Sequence, residues 1–304
     1  MGTLDGLVAL VNSGRDRLGM EMARALAGQG AAVVLSGLFG RRSEGPRQTT
    51  GGGAPDEGLA LDGGIEVAAG DTATLEGAQA VVEKVLSRHG KVDILVNDPG
   101  AVRSGSFQAL RPRQWARILQ AVLKSAFCCV RAAAPHMQRQ GRGRLVHVLP
   151  SEALFGCGKQ SAANAAFMAL VGLSRNAGIE LERFGITSNC IAIHGAGRGR
   201  AERKGPPEEA RAVELGYGGS EVGRTAGALA VFLASDRAAA ISGQIFGVYG
   251  KEILLFSQSR IARSVHRADG WDLKSLEKAL EPALAAHFTP LRGLAAGIGW
   301  GPLP

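Results

Sequence analysis

Seven short apolar runs, set between windows of helical spacing, constrain this chain more than any other feature. They are LVALV (7–11), AAVVLS (31–36), IEVAAG (65–70), VDILVN (92–97), RLVHVLP (144–150), ITSNCIAI (186–193) and QIFGV (244–248). Each is apolar through most of its length rather than on alternate residues, which suits a strand covered on both faces. Between them, apolar residues recur at helical spacing. The window 74–89 carries Leu75, Ala78, Val81, Val82, Val85 and Leu86, and the window 113–140 carries Trp115, Ile118, Leu119, Val122, Leu123, Phe127 and Val130. Further helices are expected over 19–29, 160–184 and 220–235. Strands alternating with helices give an α/β fold, a doubly wound parallel sheet of about seven strands flanked by helices.

Two stretches break that rhythm. Residues from about 38 to 64 are rich in Gly, Pro and polar side chains and read as a long surface loop. Residues 251–304 do not continue the alternation. They are expected to form a C-terminal extension with one helix near 273–284, packed on the 1–250 domain or on a partner subunit.

Composition narrows the class. Glycine is abundant at 44 residues and aromatics stand at 5%, as close helix–strand packing requires. The formal net charge is +8, and only eight of the 35 basic residues are lysine. The arginines cluster at 41–47, 198–203 and 260–267, without a zinc finger, a helix-turn-helix or a stacking surface, so no nucleic-acid partner is expected. Cys128, Cys129, Cys157 and Cys190 sit in apolar contexts without metal-ligand spacing. They are expected to be buried reduced thiols, with no metal and a cytoplasmic location. The N-terminus lacks a basic region ahead of its apolar run, and neither secretion nor membrane spanning is expected.

Four stretches carry a resemblance: ALVNSGRDRLGMEMARALAGQGAAVVL, KVDILVNDPG, QWARILQAVLKSAFCCVRAAAPHM and GRLVHVLPSEALFGCGKQSAANAAFMALVGLSRNAGIELERFGITSNCIA. The chain resembles the short-chain dehydrogenase/reductase family over roughly residues 3–250. The loop near Gly51–Gly53 and the tail from Ser242 are similar to the branch acting on 3-hydroxyacyl-CoA. The resemblance implies a Rossmann-like domain.

The positions that carry chemistry in that family are changed here. Its first turn reads TGxxxGxG, with glycines that let the pyrophosphate approach the backbone at a helix N-terminus. The matching residues are Asn12, Ser13, Arg17 and Gly19, so only the last glycine survives. Arg17 is expected to place a long side chain where the cofactor backbone would lie, unless Arg15 or Arg17 binds phosphate directly. Asp71 matches the adenine-contacting Asp, and Asn97 opens NDPG where NNAG is usual. Ser13, Arg15, Arg17, Gly19, Asp71 and Asn97 are thus a vestigial cofactor set. The expectation is that no cofactor is held and that NAD(P) binding is weak or absent.

The family's catalytic set fares similarly. A Tyr acts as general acid/base, a Lys four residues on lowers its pKa, a Ser polarises the carbonyl and an Asn holds a relay water. Those positions are Ala163, Phe167, Pro150 and Val122. No YxxxK occurs anywhere in the chain. His147, Ser151, Glu152, Asn164 and His194 remain nearby as alternatives, each with a bland reading as a satisfied strand or loop residue, and Cys157 reads as a small buried filler. Standard hydride transfer is not expected. Three readings follow: a non-catalytic partner subunit of a hetero-oligomer handling an acyl thioester or polyketide-like substrate; an enzyme of a non-redox step such as dehydration, cyclisation or C–C cleavage; and an oxidoreductase with relocated groups.

Overall fold

A computed structural model describes residues 2–13, 17–37, 64–100, 102, 105–194, 220–259 and 261–287. Arg15, the arginines of 41–47 and the loop 195–219 lie outside the described residues. Residues 1–256 form one compact unit and 257–304 a second.

The first unit is a single sheet. Its strands are β1 (Val8–Ser13), β2 (Ala32–Gly37), β3 (Glu66–Ala69), β4 (Ile94–Asp98), β5 (Gly143–Pro150), β6 (Ile186–Ile193), β7 (Ile245–Tyr249) and β8 (Glu252–Leu255). They lie in the order β3-β2-β1-β4-β5-β6-β7-β8, all parallel except β8. The eighth strand falls in the stretch that the sequence reading leaves to the extension. Its signal was the Gly250–Lys251 pair between two apolar runs: Gly250 takes φ +59, and Tyr249 pairs with Glu252 across a two-residue hairpin loop.

The helices are α1 (Arg17–Ala27), α2 (Leu75–His89), α3 (Pro112–Leu119), α4 (Ser125–Gln140), the short α5 (Glu152–Phe155), α6 (Ser161–Leu181) and α7 (Ser220–Ala234). Local chemistry sets their ends. Thr74 Oγ1 accepts from Gly77 N at 3.1 Å to start α2, and Gly90, at φ 75, donates back to Leu86 O to end it. One turn of π-helix, Gln120–Lys124, joins α3 to α4 into a continuous 29-residue helix. That helix is long and apolar enough to cross a membrane, yet Val122, Ala126, Cys129, Ala133 and Met137 are buried in the fold, as in a core helix.

Alternate residues of the strands face two layers. Ala9, Val11, Val96, Val148 and Ile193 pack on α1 and α7 residues such as Met22, Leu26 and Ala230. Val8, Leu10, Leu95 and Leu145 pack on α2 and α4. Toward the carboxyl ends of β5 and β6, Leu149 and Ala192 instead meet α6 through Ala163, Ala166, Phe167 and Leu170. In the second unit α8 (Leu273–Leu284) begins at a capping pair, with Ser275 N donating to Asp272 Oδ1 at 2.7 Å. Hydrogen bonds from Ser275 hold the Asp272 carboxyl below its usual pKa.

Candidate functional site on the carboxyl edge of the sheet

Ligands of open parallel sheets bind beyond the carboxyl ends of the strands, and the residues singled out above gather there. Val122, on the π-turn, is fully buried. So are Ala163 and Phe167, one turn apart on α6. All three belong to one apolar cluster with Leu149, Ala162, Ala166, Leu170 and Ala192. Pro150, at the end of β5, is buried beside it and has no N–H to offer. Phe167 is the largest fully buried side chain of the domain. The helix face that would carry acid/base groups is packed as hydrophobic core.

A buried polar seam runs beneath this edge on the α4 side. Asn12 Nδ2 donates to Asn97 Oδ1 and to Ser125 Oγ, both at 3.1 Å, and Thr72 Oγ1 donates to Asn12 Oδ1 at 3.0 Å. Thr72 and Ser125 share a hydroxyl bond at 2.9 Å, and Asn97 Nδ2 reaches His147 Nδ1 at 3.4 Å. Asn97 therefore serves the sheet's interior. His147 is fully buried with Nε2 lacking a protein partner, and burial pulls its pKa down to about 4. A histidine that stays neutral across the physiological range and sits inside a strand layer is a core group. Thr72 and Ser125 were not legible as its companions, because each lies in an ordinary cap or helix context in sequence.

Ser151 and His194 come together. They follow β5 and β6, whose ends pair Pro150 with Ile193, and Ser151 Oγ lies 2.9 Å from His194 Nδ1. The ring of Tyr249, at the end of β7, meets the His194 ring edge-on with centroids 4.8 Å apart. Glu152 opens α5, and Asn164 Nδ2 donates to its carbonyl at 3.3 Å, so Asn164 ties α6 to α5. Cys157 is exposed, not a buried filler; partial burial raises its thiol pKa, so it holds its proton at neutral pH. Cys128, Cys129 and Cys190 are buried, the last two pushed up to about 12 and about 11 by desolvation.

At the carboxyl ends of β1 and β4, Gly19 packs so tightly that a Cβ there would run into the Ser13 hydroxyl and lie 2.8 Å from Asp98 Oδ2. Ser13 Oγ and Asp98 Oδ2 are 3.5 Å apart. Arg17, the first residue of α1, is 65% exposed and lies 3.8 Å from Glu21, an i,i+4 pair. Asp71 is exposed at a turn, with Oδ1 accepting from Ala73 N.

A family model described as enoyl-(acyl carrier protein) reductase matches residues 15–250. The 3-oxoacyl-[acyl-carrier-protein] reductase FabG of Escherichia coli is 32% identical over 81% of this chain and 97% of its own length. The D-beta-hydroxybutyrate dehydrogenase of Cupriavidus necator is 29% identical over 81% of this chain and 98% of its own. The peroxisomal multifunctional enzyme type 2 of Drosophila melanogaster is 34% identical over 64% of this chain, which spans only 32% of that longer protein. Among solved structures, a short chain dehydrogenase from Mycobacterium avium superposes with a TM-score of 0.78, at 23% identity, over 95% of this chain and 98% of its own.

These relatives overturn one expectation. They are dehydrogenases and reductases, and membership among them implies nicotinamide binding, against the expected absence of a cofactor. The residues present fit such a group. Ser36 Oγ, at the carboxyl end of β2, is buried without a hydrogen-bond partner among the described residues, and Gly19 keeps the helix N-terminus close to β1. Ser13, Gly19, Ser36 and Asp71 would hold it. Calorimetric titration with NADH and NADPH is expected to show saturable binding that Arg17→Ala changes less than about fivefold, the factor to which about 1 kcal/mol, the ceiling for an exposed charge pair, corresponds. A tenfold loss would place Arg17 at the nucleotide. With the family model covering most of the chain and the sheet order and crevice in agreement with it, this protein belongs to the short-chain dehydrogenase/reductase family.

Proposed function

We propose that the chain is a subunit that does not itself carry out hydride transfer and that works beside an intact relative on acyl thioesters. The observation that supports this most is the conversion of Val122, Pro150, Ala163 and Phe167 into buried apolar packing. A nicotinamide nucleotide held by Ser13, Gly19, Ser36 and Asp71 would supply hydride chemistry, which needs a proton relay beside it. Here the side chains at the relay positions neither ionise nor donate, so the proton that must reach the carbonyl oxygen has no carrier at those places. Acyl substrates are suggested by relatives whose names specify acyl carrier protein or, for a Thauera aromatica subunit 32% identical over 61% of this chain, a succinyl-CoA derivative.

Association is supported by an apolar groove of about 700 Å³ along the outer side of α3 and the π-turn, lined by Trp115, Leu119, Leu123, Phe127 and Leu173. Trp115 is 39% and Phe127 45% exposed, whereas Phe167, Leu170 and Val171 are consumed by the domain's own core. The test is NAD(P)H oxidation with 3-oxobutanoyl-CoA. The isolated chain is expected to give no rate above buffer, and addition of a Tyr/Lys-bearing relative is expected to give a complex by native mass spectrometry that Trp115→Glu with Phe127→Glu disrupts. Turnover by the chain alone near the ordinary range of about 1 s⁻¹ or more would overturn the reading. A second reading, a non-redox step on the same substrate class, is favoured by the Ser151–His194 pair.

A further inference from the structure

We propose that His194 is a proton-transfer group acting on the carbon next to an acyl thioester carbonyl, with Ser151 as its positioning residue, in a row of polar side chains on the α6 side of the sheet's carboxyl edge. The proposal deepens the non-redox reading and rests on the thioester assignment.

The placement follows from register. Pro150, Ile193 and Val248 are aligned across β5, β6 and β7. One residue later come Ser151, His194 and Tyr249. Side chains alternate along a strand, so Ser151 and His194 share the face of Leu149 and Ala192, the face that meets Ala163 and Phe167. The backbone fixes the row: Ser151 N donates to Ile193 O and His194 N to Val248 O, each at 2.9 Å. The result is an apolar floor with three polar groups along its rim, where the family's own polar groups have been replaced by hydrocarbon.

The ring is held from two sides, by the Ser151 hydroxyl at 2.9 Å and by Tyr249 edge-on. The tautomer in which Nδ1–H donates to Ser151 Oγ leaves a lone pair on Nε2, the form a base requires. His194 is half-buried and Tyr249 45% exposed, so the row reaches the surface. Glu152 follows Ser151 and opens α5, and its Oε2, with Ser161 Oγ and both side-chain polar atoms of Gln160, is buried without a hydrogen-bond partner among the described residues. Gln160 is 2% exposed. Buried polar groups are normally paired, and four such atoms between the end of β5 and the start of α6 point to a polar ligand.

The step balances without a co-reactant. Nε2 takes the proton, the C–H bond breaks, and its electron pair moves into the carbonyl as an enolate. Return of a proton from Nε2 to the carbon restores the thioester. In D₂O the exchange leaves deuterium at C2.

The experiment incubates the full chain with 3-hydroxybutanoyl-CoA in D₂O and reads C2 deuterium by mass spectrometry. Incorporation is expected above the buffer rate and is expected to fall about 100-fold in His194→Asn, the lower range for loss of an acid/base group. Ser151→Ala is expected to retain part of the rate while shifting the ¹⁵N resonances of the His194 ring toward the other tautomer. A merely structural serine would leave those resonances in place. Exchange at the buffer rate, or exchange undiminished in a folded His194→Asn protein, overturns the proposal. Neither result bears on NAD(P)H oxidation, so the absence of reductase activity stands or falls separately.

Discussion

Phe167→Lys is expected to destabilise the domain by about 3–5 kcal/mol, the cost of leaving a charge buried without a partner. Phe167 is fully enclosed by Val122, Ala163, Leu170 and their neighbours. The described residues of that cluster include no carboxylate and no tyrosine hydroxyl to receive an ammonium. In a working member of the family the same lysine has a phenol and a ribose to meet. A lysine introduced at this one position therefore costs stability. Urea denaturation read by circular dichroism measures the loss. Phe167→Leu is the control, expected to cost under about 2 kcal/mol because it keeps most of the apolar volume. A Lys variant as stable as the Leu variant would mean that the position opens to water and that the pocket is not core.

The second large effect is a loss of stability in acid centred on His147. Its imidazole is buried, and desolvation lowers its pKa from 6.5 to about 4. In the unfolded chain the ring takes up a proton below about pH 6.5, whereas in the folded chain it stays neutral until near 4. The unfolded state therefore binds more protons throughout that window, and stability falls as pH falls through it. A shift of this size corresponds to roughly 3 kcal/mol, fully lost below about pH 4. His147→Gln keeps an acceptor for Asn97 and removes the titration. Comparing unfolding free energies of the two proteins at pH 7 and pH 4.5 isolates the histidine from the carboxylates. Parallel losses in both would place the acid sensitivity elsewhere.

The architecture was legible because burial on both faces leaves a plain mark: seven apolar runs with helical spacing between them. The eighth strand was not, since Glu252–Leu255 is short, half exposed and reads as tail unless the Gly250 turn is recognised. The residue types at the family's catalytic positions were legible one by one, and the structure adds that Ala163 and Phe167 are buried together in one apolar cluster. The expected absence of a cofactor, overturned by the relatives, rested on Arg17 standing at the first turn. A sequence says nothing of which way a flexible side chain runs, and this one lies 3.8 Å from Glu21, one turn on. The Ser151–His194 contact joins residues 43 positions apart and depends on strand register, which no local pattern reveals.

Sheet order also governs how this chain is made. β1 ends at Ser13 and lies between β2 and β4, yet β4 begins only at Ile94. At translation rates of roughly 5–20 residues per second, β1 waits about 4–16 s for β4 with one hydrogen-bonding edge bare. The hairpin of β7 and β8, the one local strand pairing among the described residues, comes last. For that interval β1 of the nascent chain presents an unpaired edge on which another strand could add.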